Sequence, residues 1–230
     1  ELGIYNPITK WGSLFVGFIL PSMYTYLYPR LSEAKDDDEI VGVVNDVIRL
    51  LTFVILPFII VGISTRHWII PLFYSKEFIG AAIYLPFHFS ALLFVVWSRA
   101  LEQIFAPSGR LKFLMIFVII FKILGLILVF YAIPKVGLYG YMLRFTLMPL
   151  ITIIAYFIFW RGRINFRLQK ENISIMMYSI FCVLILIFLR NYEIYIQSLS
   201  MLLIGPMYFL LNKKEKNFIH KKIKNIKAKF

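Results

Sequence analysis

The sequence predicts an all-α protein, a polytopic bundle of about seven transmembrane helices. Of its 230 residues, 60% are hydrophobic and 18% are aromatic, and the mean hydropathy is +0.79, whereas soluble domains are nearer half apolar. The apolar residues form stretches of about 20, the length that crosses the hydrocarbon core of a bilayer. Basic residues lie between these stretches, as in membrane proteins whose loops determine their orientation.

Seven stretches are predicted to cross the membrane, although the last two are short and closely joined. The first contains Pro7, Gly12, Gly17 and Pro21, so we expect it to be kinked. No stretch alternates with a period of two, which argues against transmembrane strands. The predicted spans are residues 4–28, 47–64, 78–97, 113–133, 138–160, 173–189 and 194–211.

We divide the chain into a transmembrane bundle, residues 1–211, and a basic tail, residues 212–230. In the tail, Ile219, Ile223, Ile226 and Phe230 follow helical spacing and lysines occupy the other face. This pattern predicts an amphipathic helix on an anionic inner leaflet, and a tail that docks on another protein is the alternative.

Loop charge predicts the orientation of the bundle, because the side richer in Lys and Arg is usually cytoplasmic. This rule predicts that the C-terminus is in the cytoplasm, and the bundle of apolar helices predicts a multi-pass protein of the bacterial inner-membrane type. The net charge of +13 follows from these loops and the tail, so nucleic acid is not an expected partner. The richer set is Arg30, Lys35, Arg49, Arg110, Lys112, Arg161, Arg163, Arg167, Lys170 and the tail lysines; the poorer set is Arg66, Lys76, Lys135 and Arg190.

Sequence motifs of enzymes and metal sites are missing. The single cysteine, Cys182, lies in an apolar stretch, and the sequence has no CxxC, HExxH, Walker A or dinucleotide motif. The acidic run at 36–39 fits either a solvated loop or a divalent-cation site, and we expect the loop. We therefore expect neither a cofactor nor a bound metal, and no enzymatic activity.

Ionisable residues inside predicted spans are the candidate site, because they are costly in a membrane. Lys122 lies in the middle of its span, His88 is also mid-span, and Arg144 lies about two turns into its span. Lys10 is near the outer end of the first span, and Arg99 is at the inner end of the third. Cations that line one cavity with few acids favour an anionic substrate such as phosphate or diphosphate.

Four of the five candidates also have a structural interpretation. Lys122 can pair with a carbonyl or an acid in the bundle core, and Arg144 can extend to the membrane surface. A lone His88 is often a hydrogen-bonded packing residue. Arg99 and Glu102 are three residues apart and can pair on one helix face.

Three motifs resemble those of a known family. The segment at 27–33, Leu-Tyr-Pro-Arg-Leu-Ser-Glu, resembles the P-x-L-S segment after an early helix in each half of the polysaccharide flippases. These are the Wzx-type exporters of the multidrug/oligosaccharidyl-lipid/polysaccharide superfamily. The segment at 70–78, continuing to Ala81 and Ala82, resembles their short outer segment. The segment at 135–140 resembles their outer turn, although Tyr141 and Met142 replace the usual small pair.

Family members have about 12 to 14 helices in two halves, so the resemblance implies the C-terminal half of a transporter that resembles the MATE exporters. It also implies that an N-terminal portion precedes Glu1. In the related lipid II flippases an essential arginine lies in the helix leading into P-x-L-S, and Lys10 occupies the matching position here. Lys is not equivalent to Arg in bidentate phosphate contact.

The resemblance implies a flippase that moves undecaprenyl-diphosphate-linked oligosaccharide for O-antigen, capsule or exopolysaccharide assembly. The implied partners are this lipid, anionic lipids at the tail, and other polysaccharide-assembly proteins. Two alternatives remain. A drug/cation antiporter of the same superfamily would need acids in its cavity. A membrane polymerase or acyltransferase would be expected to have a large outer loop with clustered Arg, His or Asp.

Overall fold

The computed structural model describes residues 2–74, 76–189, 200–211 and 215–216. Within these ranges the chain forms helices joined by short connections and contains no strand, which confirms the predicted all-α class. The α-helices are α1 (Leu2–Glu33), α2 (Asp37–Ser64), α3 (Arg66–Phe73), α4 (Leu85–Glu102), α5 (Leu111–Val136), α6 (Leu138–Ile164) and α7 (Lys170–Phe188). The 3-10 segments are Lys76–Ile83, Gln103–Phe105 and Ser200–Leu210.

Within the described residues, four helices are long and apolar enough to cross a membrane, namely α2, α5, α6 and α7. The segments Glu77–Ile83 and Leu85–Phe105 pass the same test together but are bent by 53°, so they form a broken span or a re-entrant segment. Five of the seven predicted spans therefore have a counterpart. The first predicted span lies in α1, which has 32 residues but is less apolar because of its Asn, Ser, Thr and Tyr residues.

The C-terminal predictions lie mostly outside the described residues. The seventh predicted span, 194–211, is described only in its second part, where Ser200–Leu210 forms a 3-10 segment of 11 residues. A segment of this length is too short to cross a bilayer by itself. Of the predicted tail, 212–230, the structure describes residues 215 and 216 alone, so the predicted amphipathic helix is outside the described part.

The acidic run at 36–39 starts a helix, and α2 begins well before the span predicted at 47–64. The carboxylate of Asp36 accepts a hydrogen bond from the backbone N–H of Glu39 at 2.8 Å. The Glu39 carboxylate in turn accepts one from the backbone N–H of Lys35 at 2.8 Å. This reciprocal arrangement resembles a capping box, and acids in the first turn are also stabilised by the helix dipole. The run is therefore a helix N-terminus instead of the loop we expected.

One residue, Gly137, connects α5 to α6 in a tight antiparallel hairpin. Its φ of 57° lies in the left-handed region, which glycine adopts without strain. Close to this turn, Gly140 packs against the backbone of Ala132, and a Cβ at Gly140 would lie 2.6 Å from the Ala132 carbonyl carbon. The two helices are therefore in direct backbone contact beside the turn.

We expect Gly140→Ala to lower the free energy of unfolding by about 1–3 kcal/mol, because the clash is with backbone atoms that have little room to move. Gly162→Ala in the same helix is the matched control, since a Cβ there would meet no atom within 4 Å. Thermal unfolding of both variants in detergent measures the difference. Equal melting temperatures for the two variants would contradict the close backbone contact.

Helices α2 and α4 form the centre of the bundle, with most of α4 and half of α2 buried. Between them the buried indole of Trp97 donates a hydrogen bond to Oγ1 of Thr52 at 2.8 Å. Helix α7 packs on α2, and α6 packs on α4. Helix α5 packs mainly on α6 and exposes apolar residues such as Ile119 and Phe130 on its other sides. So much exposed apolar surface requires a lipid environment, and the chain is a multi-pass membrane protein.

Contacts of α2 bring two of the basic loop regions to one end of the bundle. The Asn45 amide donates to the carbonyl oxygen of Arg167 at 2.9 Å, and its Oδ1 accepts from the backbone N–H of Gln169 at 3.0 Å. One turn further along, Arg49 binds the carboxylate of Glu215 through Nε and Nη2, at 2.7 and 3.0 Å. The α6–α7 connection and the described part of the C-terminal segment therefore meet the beginning of α2.

Candidate functional site

A cavity of about 340 Å³ lies between α4, α5 and α6, and we call it the cationic cavity. Its polar wall contains Arg99, Glu102, Lys122 and Arg144. The rest of the wall is apolar or aromatic apart from three hydroxyls, those of Ser98, Thr152 and Tyr156. Sites for small molecules commonly have this composition, a mainly apolar lining with a few convergent polar groups. The other lining residues are Val95, Ser98, Val118, Phe121, Phe145, Met148, Pro149, Thr152 and Tyr156.

Three of the five residues predicted from the sequence, Lys122, Arg144 and Arg99, line this cavity together. They come from three different helices, so only the packing of those helices brings them together. Lys122 follows the start of α5 by 11 residues and precedes its end by 14, which places it near the middle of the helix. Its side chain is exposed at the cavity.

Arg144 reaches the cavity across a glycine. Gly125 is the buried residue of α5, and a Cβ at this position would lie 3.0 Å from Nε of Arg144 and 3.4 Å from Cγ of Met148. Any larger residue at this point would push the guanidinium away from α5. Gly125 therefore allows the Arg144 side chain to lie against α5, one turn from Lys122.

Arg99 and Glu102 form the ion pair that their spacing predicted. Nη1 of Arg99 donates to both carboxylate oxygens of Glu102, each at 2.8 Å. The side chain of Arg99 is 43% exposed, and that of Glu102 is 16% exposed. The pair lies at the end of α4 where the chain turns into the segment Gln103–Phe105.

The charge balance of the cavity favours an anion. Three cations and one carboxylate give its lining a net charge of +2. The positions of these residues along their helices place Arg144 nearest the α5–α6 turn and Lys122 in the middle. Arg99 and Glu102 lie at the opposite end. Lys and Arg make strong charge-assisted hydrogen bonds to phosphate oxygens, so a phosphate group fits this lining.

Aromatic rings form the end of the cavity near Glu102. Tyr156 lines the cavity and packs on Phe105 and Phe117, with ring centroids 5.2 and 5.4 Å apart. Phe105 also packs on Trp160 at 4.6 Å. Of the three wall hydroxyls, those of Ser98 and Thr152 donate to main-chain carbonyls of their own helices at 2.8 Å. The cations are thus the wall groups best placed to bind a ligand.

His88 lies behind the wall of the cationic cavity. Its side chain is 4% exposed and packs edge-on against Phe145, with ring centroids 5.4 Å apart. It also fills the space above Gly12, where a Cβ would lie 2.1 Å from Nε2. Within the described residues Nδ1 has no hydrogen-bond partner. The structure therefore places His88 as a packing residue between α1, α4 and α6 and does not bring it to the cavity.

Lys10 lines a different cavity, of about 470 Å³, between α1 and Tyr74. Its neighbours there are Thr9, Ser13, Gly17 and Phe18, and its side chain is exposed. The structure does not bring Lys10 together with Lys122, Arg144 or Arg99. Its match to the essential arginine of lipid II flippases stays a prediction.

Two polar features of the structure were not predicted from the sequence. Glu102 was expected to pair with Arg99 but was not assigned to the site, although its place one turn from Arg99 was a usable signal. The other feature is the α2 cluster of Asn45, Arg49 and Thr52, which all bond to other elements. Their spacing of four and three residues puts them on one helix face, a pattern that indicated contacts inside the bundle.

At the other end of the bundle, Arg66 is buried and donates from Nη1 to the carbonyl oxygen of Ile63 at 2.8 Å. Burial lowers the pKa of Arg66 to about 10, so the group is still charged at neutral pH. Burial, and next the charge of Arg66, lower the pKa of His67.

Within the described residues there is no group of three or more His, Cys, Asp or Glu side chains that would hold a metal ion.

The fold and the cavity define a helical multi-pass membrane protein with a cation-lined cavity inside the bundle. Residues 1–83 match the model of a family described as polysaccharide biosynthesis protein. This match contains the motifs at 27–33 and 70–82, so it confirms for this part of the chain the resemblance to polysaccharide biosynthesis proteins and supports a role in polysaccharide assembly. The cationic cavity lies entirely beyond the matched residues. No curated protein and no solved structure matches the chain.

Proposed function

We propose that the protein is a flippase that moves undecaprenyl-diphosphate-linked oligosaccharide from the inner to the outer leaflet of the bacterial inner membrane. The product would serve O-antigen, capsule or exopolysaccharide assembly. The observation that carries this proposal is the convergence of Lys122, Arg144 and Arg99 on one cavity within an apolar helical bundle. The match of residues 1–83 to a polysaccharide biosynthesis family supports the same pathway.

In this proposal the diphosphate binds the three cations, which supply charge-assisted hydrogen bonds to its oxygens. The polyprenyl chain stays in lipid beside the exposed apolar surface of α5. No covalent bond forms or breaks, so the protein acts as a transporter and not as an enzyme. The chain would be one half of a two-half transporter, whose other half completes the path across the membrane.

The proposed orientation places the C-terminus in the cytoplasm, where loops richer in Lys and Arg usually lie. The contacts of Asn45 with the α6–α7 connection and of Arg49 with Glu215 put two of these regions at one end, as this orientation requires. The basic tail would then meet anionic lipids of the inner leaflet. Other proteins of polysaccharide assembly are further proposed partners.

A drug/cation antiporter is the first alternative, and the cavity charge argues against it. A cationic drug would enter a lining of three cations and one carboxylate, and like charges in a low-dielectric site repel strongly. The second alternative is a polymerase or acyltransferase of the same pathway. The connection between α5 and α6, at the end opposite the α6–α7 connection, is a single residue, Gly137, which leaves no room there for the expected loop of clustered Arg, His or Asp.

The proposal is tested with the full-length protein in liposomes that carry a polyprenyl-diphosphate-linked sugar in the inner leaflet only. A sugar-binding lectin outside the liposomes then reports the lipid that reaches the outer leaflet. We expect protein-dependent exposure of the sugar, compared with liposomes that contain heat-inactivated protein. No exposure with a folded protein would contradict the flippase, and formation of a longer glycan or an acylated product would favour the enzyme.

A further inference from the structure

We propose that Glu102 is an internal competitor for Arg99 that speeds the release of an anionic headgroup. Its carboxylate pairs with the Arg99 guanidinium while the cavity is empty. A phosphate group of the ligand displaces the carboxylate, which pairs with Arg99 again as the ligand leaves. This inference rests on the proposed function and adds to it a residue that determines turnover. The ligand class is a lipid with a phosphate or diphosphate headgroup.

The geometry of the pair allows this exchange. Both oxygens of Glu102 bind a single nitrogen, Nη1 of Arg99, at 2.8 Å. In the described part of the chain the Arg99 side chain has no further hydrogen bond, so Nε and Nη2 can bind a phosphate before Glu102 leaves. Both residues belong to α4, one turn apart, and the exchange therefore needs a change of side-chain rotamer and no helix movement.

The exposure of the two side chains supports the same order of events. Arg99 is 43% exposed and lies on the open side of the pair, whereas Glu102 is 16% exposed and lies more deeply in the wall. Ion pairs with this exposure are weak, so a phosphate that also contacts Lys122 or Arg144 displaces the carboxylate readily. Glu102 stays one turn away throughout, at a high effective concentration for recapture of Arg99.

A competitor of this kind has opposite effects on affinity and on turnover. Without the carboxylate, the ligand keeps Arg99 with no rival, so it binds more tightly and dissociates more slowly. Most changes of affinity at one site are changes of the dissociation rate. A transporter limited by release would then turn over more slowly. A purely structural pair predicts another result, loss of stability together with loss of both affinity and turnover.

Glu102→Gln in the full-length protein tests the inference, with Glu171→Gln as the matched control. Glu171 is exposed in the first turn of α7 and does not line the cationic cavity, so its replacement changes the charge equally but elsewhere. Calorimetric titration with farnesyl diphosphate measures affinity, and the lectin assay at saturating lipid measures turnover. We expect Glu102→Gln to bind about three- to fivefold more tightly and to turn over more slowly by a similar factor.

Two further variants keep the result interpretable. Glu102→Asp retains the charge but shortens the reach, so it is expected to change affinity in the same direction even where Glu102→Gln fails to fold. In an Arg99→Met background the gain in affinity from Glu102→Gln is expected to shrink below about twofold, because the guanidinium for which Glu102 and the phosphate compete is absent. An equal gain in that background would show a general charge effect and overturn the inference.

The outcomes separate the inference from the proposed function. Unchanged or weaker binding by folded Glu102→Gln, or unchanged turnover, overturns the role of Glu102. If Lys122→Met still weakens binding of farnesyl diphosphate by at least about tenfold in that case, the proposed function stands without the role of Glu102. If the folded wild-type protein binds no farnesyl diphosphate and flips no lipid, the proposed function itself fails.

Discussion

Lys122→Met and Arg144→Met are each expected to lower the affinity for farnesyl diphosphate and the flipping rate by at least about tenfold. Each side chain lines the cationic cavity, and hydrogen bonds to charged groups contribute about 1.5–3 kcal/mol, which corresponds to a tenfold effect or more. Met keeps an unbranched side chain while it removes the charge. Calorimetric titration and the lectin assay measure the two quantities.

Lys135→Met is the matched control for Lys122→Met. Lys135 lies in the last turn of the same helix, α5, is exposed, and does not line the cationic cavity. The same substitution there is expected to leave affinity and rate within about twofold of wild type, because exposed charges interact weakly with distant groups. Equal losses at Lys122 and Lys135 would mean that total charge, and not the cavity, determines binding.

Asn45→Ala is expected to have the largest effect on stability, a loss of about 2–4 kcal/mol in the free energy of unfolding. Asn45 is fully buried and joins α2 to three parts of the α6–α7 region. Its side chain bonds to the carbonyl of Arg167, to the N–H of Gln169, and to the amide of buried Asn172 at 2.8 Å. Its removal breaks these three hydrogen bonds, at about 0.5–1.5 kcal/mol each, although the Asn172 amide keeps its second bond, to the backbone carbonyl of residue 45 at 2.8 Å.

Asp46→Ala provides the comparison for Asn45→Ala. Asp46 follows Asn45 on α2 but is exposed, so its replacement by Ala changes the same helix without breaking a buried network. Unfolding of both variants by titration with denaturing detergent gives the two free energies. If Asn45→Ala is no less stable than Asp46→Ala, the α2 cluster does not hold the basic end of the bundle together.

The helical membrane class and the main members of the cavity could be predicted from the sequence for one physical reason. A charged residue deep in an apolar span needs a partner or a polar cavity, so the positions of Lys122 and Arg144 within their spans were enough to indicate a site. The convergence of these residues with Arg99 depends on how α4, α5 and α6 pack. Hydropathy could not supply that packing, because α5 is apolar on every side.

His88 shows the limit of the same reasoning. A mid-span histidine satisfies the rule that indicated Lys122, yet its ring fills the space above Gly12 and touches Phe145. The choice between the two roles depends on which helix face meets α1, and the flanking residues of α4 are apolar on both faces. Lys10 was selected by its place in the first predicted span and by a family resemblance, and the structure places it in a different cavity.

The beginning of α2 and the α2 cluster show what hydropathy leaves out. The span predicted at 47–64 followed the apolar residues, but the capping contacts of Asp36 and Glu39 start the helix at Asp37. A hydropathy scale treats polar residues near the end of a span as the edge of the membrane. In the structure Asn45 and Arg49 are instead buried groups that bind other elements.

Whether the cationic cavity binds a diphosphate headgroup is tested by measuring how accessible its wall is with and without the ligand. Thr152→Cys in a Cys182→Ala background places a single thiol in the cavity wall. Ser174→Cys, at an exposed position of α7, is the control. The rate of modification by a charged methanethiosulfonate reagent is measured with and without farnesyl diphosphate. We predict that the ligand slows modification at position 152 and leaves position 174 unchanged. Equal rates at position 152 with and without a saturating ligand would contradict binding of the diphosphate in the cationic cavity.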